Sequence, residues 1–217
     1  MKNYCLFQVK EVDDDVRRSF EMLPDDKYLK SVKKFRKRRY STGFIKDNQL
    51  YWEKTKEKPF EQSQSLNKYV GNIKRNFKPL TKVVKSYMEK VFLTNLLKHL
   101  PPSDYQIGVH QIRVVADNQN MGIPAPEGIH QDGFDYVSIL SVSNQNAAGG
   151  VSILLSSQNH EDIIFEQILQ PGSCLLLNDR NLFHYVSPIV PKLPGNCFRD
   201  VIITTLSNCN GFFVSEV

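Results

Sequence analysis

In Ile129-His130-Gln131-Asp132-Gly133, a histidine and an aspartate stand two residues apart at the entrance to a β-rich segment. Alternate side chains of an extended strand project to the same side, so His130 and Asp132 are predicted to share one face. A distant histidine, His184, would complete the two-histidine, one-carboxylate arrangement that holds non-heme Fe(II) and leaves coordination positions open. The fold must therefore bring two distant parts of the chain side by side.

Short β-rich runs dominate the sequence after Pro102, with Gly, Pro, Asn and Ser between them. The predicted strands are 105–116, 134–142, 151–155, 163–169, 173–177 and 200–206. Several short strands with turn signals and no long helices between them favour an antiparallel sandwich or jelly roll. The turn-rich segments 144–150 and 170–173 fit the hairpins that would return His184 to the neighbourhood of His130.

Residues 1–100 have a different character, with short apolar clusters at helical spacing among many lysines. The clearest helix is predicted to follow Lys78-Pro79-Leu80, since apolar side chains recur there every three or four residues. Pro101-Pro102 ends it. We expect one integrated domain of 217 residues. In it, a basic and largely helical part, 1–100, packs on a β core, 101–217.

Charge is divided unevenly between these two parts. Residues 1–100 contain 24 Lys and Arg against 12 Asp and Glu, whereas residues 101–217 contain 4 against 11. The basic run 33–40 resembles a nucleic-acid patch. A solvated helix face, or pairing with the acidic half, is the favoured interpretation because charge runs usually solvate. A nucleic-acid partner is therefore not expected.

Other features place the chain in a reducing, aqueous compartment. The first residues lack an apolar signal core, and no apolar run approaches the ~20 residues of a membrane span. The four cysteines form no C-x-x-C pair and are expected to be free thiols. We therefore expect a cytoplasmic protein with no membrane partner.

Arg199 adds a reason to favour iron over zinc. Three protein ligands leave room at iron for a bidentate 2-oxo acid and O₂. A guanidinium grips a second carboxylate through two parallel hydrogen bonds, which selects a dicarboxylic 2-oxo acid such as 2-oxoglutarate. Zinc with two histidines, an aspartate and water would be a hydrolytic site, but it leaves Arg199 without a purpose. The other histidines, His99, His110 and His160, are not expected to bind the metal, although His160 has Asp162 two residues away.

Candidate substrate ligands are weaker. Gln111 and Arg113 share one strand face, and Arg113 either binds a substrate carboxylate or forms a buried pair with an acidic neighbour. Strand parity from His130 would put Tyr136 on the pocket side, provided that no bulge intervenes. Glu127 is a candidate acceptor for a substrate ammonium group. The remaining candidates are Asp135, for the same ammonium role, and Asp179, as a brace for the loop that carries His184.

With these residues in hand, the sequence resembles the Fe(II)- and 2-oxoglutarate-dependent dioxygenases, and more closely the bacterial L-isoleucine dioxygenase family, which hydroxylates free amino acids. The resemblance is carried by short motifs over residues 105–206 and, more thinly, by the N-terminal part. The motifs are Pro126-Glu127-Gly128-Ile129-His130-Gln131-Asp132-Gly133, Gly149-Gly150, Pro171-Gly172-Ser173, Asn178-Asp179-Arg180, His184 with Pro188, Arg199-Asp200-Val201, His110-Gln111-Ile112-Arg113 and Arg38-Arg39-Tyr40-Ser41.

The resemblance implies a mainly β protein with N-terminal helices, built on a cupin-like double-stranded β-helix. It implies iron ligands at His130, Asp132 and His184, and Arg199 at the distal carboxylate of 2-oxoglutarate. The implied reaction converts 2-oxoglutarate and O₂ to succinate and CO₂ while hydroxylating an unactivated carbon of an L-amino acid, with ascorbate as a reductant in vitro. Many relatives carry Ser two residues after this arginine, where Val201 stands here, so a second carboxylate donor must come from elsewhere.

Two alternatives remain open on the sequence alone. The same chemistry would serve a peptidyl or nucleic-acid substrate, in view of the basic N-terminal part. A non-catalytic β-helix module with a vestigial triad is the other alternative, although all three ligand types are intact.

Overall fold

A computed structural model describes residues 3–9, 12–31, 35–53, 59–64, 69 and 71–209. The chain is mostly β, and the jelly-roll prediction is confirmed. The strands are β1 Tyr4–Gln8, β2 Arg36–Lys46, β3 Gln49–Trp52, β4 Tyr105–Ala116, β5 Tyr136–Gln145, β6 Ala147–Gly149, β7 Ser152–Leu155, β8 Ile163–Gln167, β9 Ser173–Asn178, β10 Phe183–Val186, β11 Ile189–Pro191 and β12 Cys197–Asn208.

Seven antiparallel strands form the major sheet, in the order β1-β9-β5-β12-β4-β2-β3. Its long central strands β4 and β12 pair along their whole length, from Cys197 opposite Ala116 to Asn208 opposite Tyr105. Strand β2 adds to the other edge of β4, with Arg38 opposite Ile112. This register fixes which side chains of three neighbouring strands point together into the interior.

The opposite wall of the barrel consists of two small sheets, ordered β10-β7-β8 and β11-β6. Isolated bridges extend both, joining His130 to His184 and Gly122 to Ile189. Apolar side chains from both walls form one buried cluster, to which Ile112, Leu154 and Leu175 belong. Burial of this apolar surface holds the walls together and leaves a cavity toward the end that contains the histidines.

Helices cover the outer face of the major sheet. They are α1 Asp14–Ser19 with a 3₁₀ turn Phe20–Met22, and a second helical stretch that comprises α2 Lys82–Tyr87, a π-helical turn Met88–Phe92, α3 Leu93–Leu96 and a 3₁₀ turn Leu97–His99. Val84, Met88 and Phe92 are buried in the cluster that also contains Val109 and Ile202 of the sheet. The helix predicted after Leu80 is thus present and buttresses the sheet. No helix among the described residues is long and apolar enough to cross a membrane.

The N-terminal part is less helical than predicted, because β1, β2 and β3 are strands of the major sheet. The helix expected around 33–40 is wrong for its described part, since Arg36–Lys46 is a strand whose backbone pairs with β4. Residues 32–34 lie outside the described chain. Apolar clustering between lysines did not distinguish a strand from a helix here, since short segments are ambiguous by periodicity alone.

Candidate active site

The predicted triad of His130, Asp132 and His184 is assembled at the β10 edge of the β10-β7-β8 sheet. The amide of His130 donates to the carbonyl of His184 at 3.1 Å, and the amide of His184 returns a bond to the carbonyl of His130 at 2.9 Å. This exchange sets the two imidazole rings 4.2 Å apart between centroids. Backbone pairing therefore joins two ligands that are far apart in the sequence.

Asp132 lies between the two rings. Its carboxylate oxygens are 3.7 Å from His130 Nε2 and 3.5 Å from His184 Nε2, and one ligand atom from each residue lies within 4.8 Å of the others. Burial by itself would raise the pKa of Asp132, but the hydrogen bond from His184 and the charge of both histidines hold it below its usual range. Asp132 is therefore an ionised carboxylate, as a metal ligand must be.

The other ring nitrogen of each histidine faces an oxygen atom, which it hydrogen-bonds in His130 only. His130 Nδ1 donates to the carbonyl oxygen of Gly128 at 2.8 Å, and His184 Nδ1 faces Asp179 Oδ1 at 3.5 Å. Both Nε2 atoms therefore face carboxylates: that of His184 faces Asp132, and that of His130 faces Asp132 and Glu127. Partners of this kind fix the tautomer and the orientation of metal-binding imidazoles.

Asp179 also braces the loop that carries Asp132. Its buried carboxylate accepts the backbone N–H groups of Asp132 at 3.1 Å, Gly133 at 2.7 Å and Phe134 at 3.0 Å. The sequence suggested this residue as a brace for the His184 loop, and the structure shows it contacting both ligand-bearing segments. One carboxylate thereby ties Asp132 to His184.

A third support comes from the N-terminal part. Gln62 Nε2 donates to Asp132 Oδ1 at 2.9 Å, and Gln62 Oε1 accepts from Arg75 Nη2 at 2.9 Å. Gln62 and Arg75 are buried. Neither was identified from the sequence, because their segment lacks any motif and its position depends on long-range packing.

Arg199 enters the same cavity from β12. It is 4% exposed, and among the described residues its hydrogen-bond acceptor is Ser152, whose Oγ lies 3.5 Å from Nη2. Burial lowers its pKa to about 10, so the side chain keeps its charge. A buried guanidinium without a carboxylate partner among the described residues calls for an anionic ligand.

Gly150 makes room for this guanidinium. Its φ is +69°, and a Cβ there would lie 3.1 Å from Arg199 Cδ. A left-handed backbone and a close approach both favour glycine at this position. The Gly149-Gly150 pair in the sequence therefore has a local function beside Arg199.

Arg38 is a second buried guanidinium in the cavity. Its Nε and Nη2 lie 3.2 and 2.7 Å from Nδ1 of His110, which stacks on the ring of Tyr40. Burial lowers the pKa of His110 well below its usual value, with Arg38 adding to the shift. The neutral imidazole thus accepts from Arg38, whose own pKa burial and Arg36 lower to about 9.

Arg36 lines the cavity too, but it is already neutralised. Its Nε donates to Asp26 Oδ2 at 2.9 Å in a fully buried pair. Arg36 and Arg38 thus point inward from alternate positions of β2. The basic run belongs in part to the cavity, whereas the sequence predicted a solvated helix face or pairing with the acidic half.

Three predicted substrate residues lie outside the cavity. Arg113 forms a bidentate pair with Asp200, with both bonds 2.7 Å long, which is the acidic-neighbour alternative considered for it. Gln111 shares that face of β4, is fully buried and donates to Ser19 Oγ at 2.8 Å. His110 and Ile112, on the opposite face, line the cavity instead. The substrate roles predicted for Arg113 and Gln111 are therefore not supported.

Tyr136 faces the helices and not the cavity. Its ring lies 6.2 Å from that of Tyr105, in the cluster beneath the helical layer. Its neighbour Val137 lines the cavity. The parity counted from His130 fails because the strand begins only at Tyr136, after a turn with Gly133 at φ +89°.

Of the two acidic residues predicted to bind a substrate ammonium group, one lines the cavity and the other does not. Glu127 lines the cavity, with Oε1 at 3.3 Å from His130 Nε2. Asp135 instead accepts from Arg180 Nε at 3.0 Å and from the amide of Asn208 at 2.7 Å. Glu127 alone is thus placed to meet a ligand.

The cavity as a whole combines a metal-binding triad with buried cations. Its lining residues are Arg36, Arg38, Phe60, Gln62, Arg75, His110, Ile112, Val114, Pro124, Ala125, Glu127, His130, Asp132, Val137, Ile139, His184, Val186, Arg199, Val201, Ile203 and Thr205. Two histidines and one carboxylate suit Fe(II) with open coordination positions. The unpartnered Arg199 suits a cosubstrate with a carboxylate remote from the metal.

Comparison with known proteins agrees with this geometry. The model of the 2OG-Fe dioxygenase family matches residues 17–205. The L-isoleucine-4-hydroxylase of Bacillus thuringiensis is 26% identical over 192 residues, which are 85% of this chain and 78% of that protein.

Solved structures are similar over nearly the whole chain. A bsmA homologue from Methylobium petroleophilum has a TM-score of 0.75 and 22% identity, covering 95% of this chain and 89% of its own. IDO from Bacillus thuringiensis has a TM-score of 0.70 and 18% identity, covering 95% of this chain and 94% of its own. These likenesses show the fold.

Proposed function

The chain belongs to the 2OG-Fe dioxygenase family, and from this premise we propose that it hydroxylates a free L-amino acid at an unactivated carbon. The proposed reaction uses Fe(II) as its metal cofactor, consumes 2-oxoglutarate and O₂, and releases succinate and CO₂. The observation that carries the proposal is the pairing, in one buried cavity, of the His130-Asp132-His184 triad with the unpartnered Arg199.

The metal ligands in this proposal are the two Nε2 atoms and one carboxylate oxygen of the triad. Bound Fe(II) supplies the activation of O₂ that couples decarboxylation of 2-oxoglutarate to C–H hydroxylation. The protein holds His130 through Gly128 and His184 through Asp179. Gln62, which donates to Asp132 Oδ1, keeps the carboxylate oriented.

Arg199 binds the distal carboxylate of 2-oxoglutarate in this proposal. Ser152 is the candidate for the second donor, since its hydroxyl lies 3.5 Å from Arg199 Nη2. The Ser152 hydroxyl would replace the serine that many relatives carry at the position of Val201. The apolar side chains that line the cavity exclude water. The charges of Arg199 and the distal carboxylate would therefore interact in a low dielectric.

A free amino acid is the proposed substrate because a relative over most of the chain is named L-isoleucine-4-hydroxylase. Glu127 is the proposed acceptor of the substrate ammonium group, since among the described lining residues it is the carboxylate outside the triad. The substrate carbon must be held next to the open metal positions, and this positioning is the main contribution of the protein to the rate.

The test is an aerobic incubation of the purified protein with Fe(II), ascorbate, 2-oxoglutarate and pooled L-amino acids. We expect succinate together with a product heavier by one oxygen atom. Asp132→Ala should abolish both, whereas Asp135→Ala, a neighbour outside the cavity, should retain them. Succinate formation that no amino acid stimulates would reject the amino acid substrate and direct the search to peptides and nucleic acid.

A further inference from the structure

The described lining of the cavity other than the triad and Arg199 is called the substrate end here, and it contains more positive charge than a neutral amino acid could balance. Besides Arg199, the lining includes Arg36, Arg38 and Arg75. Asp26 neutralises Arg36 in a buried pair at 2.9 Å. Two guanidiniums therefore remain to be balanced.

Arg38 is buried without a carboxylate partner among the described residues. It bonds to the ring nitrogen of His110 and packs on Phe77, with its guanidinium carbon 4.7 Å from the ring centroid. A neutral imidazole satisfies hydrogen bonds but contributes no negative charge. A buried cation held in this way is costly until an anion reaches it.

Arg75 is in a similar position. Its Nη2 donates to Gln62, its guanidinium carbon lies 4.5 Å from the ring centroid of Phe60, and its Nε is buried without a hydrogen-bond partner. Among the described residues that line the cavity, Glu127 is the carboxylate outside the triad that can offset either arginine. The substrate end thus keeps one positive charge in excess.

The metal end, by contrast, is balanced once it is loaded as proposed. Fe(II) carries two positive charges and Arg199 a third. Asp132 and the two carboxylates of 2-oxoglutarate cancel them, because histidine ligands are neutral. The excess charge therefore concerns the substrate and not the cosubstrate.

We infer that the substrate carries a net charge of −1 and that Arg38 grips one of its carboxylates. The inference rests on the proposed function and specifies it: within the free L-amino acids, the acidic ones fit. A zwitterion with an uncharged side chain would occupy Arg75 and Glu127 and leave Arg38 unbalanced. An acidic amino acid supplies a second carboxylate for Arg38, and the charges of the described lining residues are then paired.

The register of the sheet agrees with a substrate site next to the cosubstrate. Arg38 lies opposite Ile112 of β4, which in turn lies opposite Val201 of β12. Arg199, two residues before Val201, therefore reaches the same cavity from two strands away. The planar fork of arginine suits a carboxylate better than a lysine would.

The test uses ligand pairs that differ by one charge and hardly in shape: L-glutamate with L-glutamine, and L-aspartate with L-asparagine. Binding to the full chain loaded anaerobically with Fe(II) and 2-oxoglutarate is measured by calorimetry. We expect the acid to bind at least about tenfold more tightly than its amide in one pair or both, as for a buried charge pair. Equal or weaker binding of the acids, or no binding of any of the four, would overturn the inference.

Variants then assign the preference to Arg38. Arg38→Gln should remove the preference for the acid, and Arg38→Lys should retain part of it. Arg39→Gln makes the same charge change at the neighbouring position of β2, where the side chain donates outward to Pro79 O at 2.9 Å, and should change nothing. An Arg38→Gln protein that folds and still prefers the acid would overturn the role of Arg38; if it does not fold, the Arg38→Lys comparison decides.

The aerobic incubation described for the proposed function, run with the same four amino acids and with neutral ones, separates this inference from that function. Hydroxylation of a neutral amino acid, with the acids inert, would uphold the proposed reaction and reject the net charge. Loss of succinate formation with every amino acid would instead reject the reaction. Arg38→Gln should leave the affinity for 2-oxoglutarate unchanged, because Arg199 binds that cosubstrate.

Discussion

His130 and His184 exchange a pair of backbone hydrogen bonds, 3.1 and 2.9 Å long. The pair is an isolated bridge, because His130 lies outside the named strands and His184 lies in the short strand β10. This bridge extends the β10-β7-β8 sheet by one residue and aligns both rings on Asp132. Two ligands are thus positioned by backbone geometry, and their ring orientation is then fixed by Gly128 and Asp179.

Asp179→Asn should weaken metal binding. The amide would lose the charge that faces His184 and would accept fewer of the N–H bonds from residues 132–134. We expect Fe(II) affinity to fall by about 10- to 100-fold, the usual range for such supporting groups. Competition with a chromogenic chelator measures it. Asp162→Asn, at an exposed turn where the carboxylate accepts from Ser157, is the matched control, and an equal loss there would contradict the assignment.

Arg199→Met should weaken 2-oxoglutarate binding without lowering the stability of the folded protein. The substitution removes an unpartnered buried cation, so the free energy of unfolding of the metal-free protein should not decrease. The KM for 2-oxoglutarate should increase at least about 30-fold, as for a lost buried charge pair. Denaturant unfolding and steady-state kinetics measure the two effects.

Arg113→Met provides the contrasting case. It leaves Asp200 buried and unpaired, so we expect a loss of about 3–5 kcal/mol in the free energy of unfolding. The KM for 2-oxoglutarate should stay unchanged in the folded fraction. Similar stability changes in the two variants would show that Arg199 has a protein partner after all.

Gly150→Ala should impair cosubstrate binding with Arg199 still present. The added methyl group meets Arg199 Cδ at 3.1 Å from a backbone with φ +69°, so the guanidinium must shift. We expect a higher KM for 2-oxoglutarate. Gly195→Ala shares the positive φ, at +129°, but has nothing within 4 Å; it tests for strain alone and should leave this KM unaltered.

His110 should make stability depend on pH. Burial and Arg38 lower the pKa of His110 well below its usual value of 6.5. Below that pH the unfolded chain binds a proton that the folded state refuses, so the stabilisation is complete above about pH 6.5 and is lost as the pH falls. The slope should be about 1.4 kcal/mol per pH unit. His110→Gln, which still accepts from Arg38, should show a smaller slope; equal slopes would contradict a neutral buried His110.

The sequence was sufficient for the parts of the site that are defined by local chemistry. His130, Asp132, His184 and Arg199 were identified from residue type and spacing, and strand 105–116 matches β4 at both ends. Turn signals and short apolar runs are local properties, which explains why the β core was predicted correctly.

What the sequence could not supply depends on long-range pairing. The side of β4 that faces the cavity is set by its register with β12 and β2, and choosing the other side led to Arg113 instead of His110. Arg38 was named only within a motif of the family resemblance. Its place in the cavity was missed because the run 33–40 was interpreted as a solvated helix face or as arginines paired with the acidic half. Buried Arg36 and Arg38 alternate with half-exposed Lys37 and Arg39. The sequence does not show this period of two, because all four residues are basic.

Incorporation of isotopically labelled O₂ tests the central claim most directly. The protein is incubated with Fe(II), 2-oxoglutarate and labelled O₂, together with the amino acid that stimulates turnover. The account predicts one labelled oxygen atom in succinate and one in the hydroxylated amino acid, in equal amounts, and neither in the Asp132→Ala protein. Unlabelled product, or labelled succinate that forms equally well in Asp132→Ala, would contradict it.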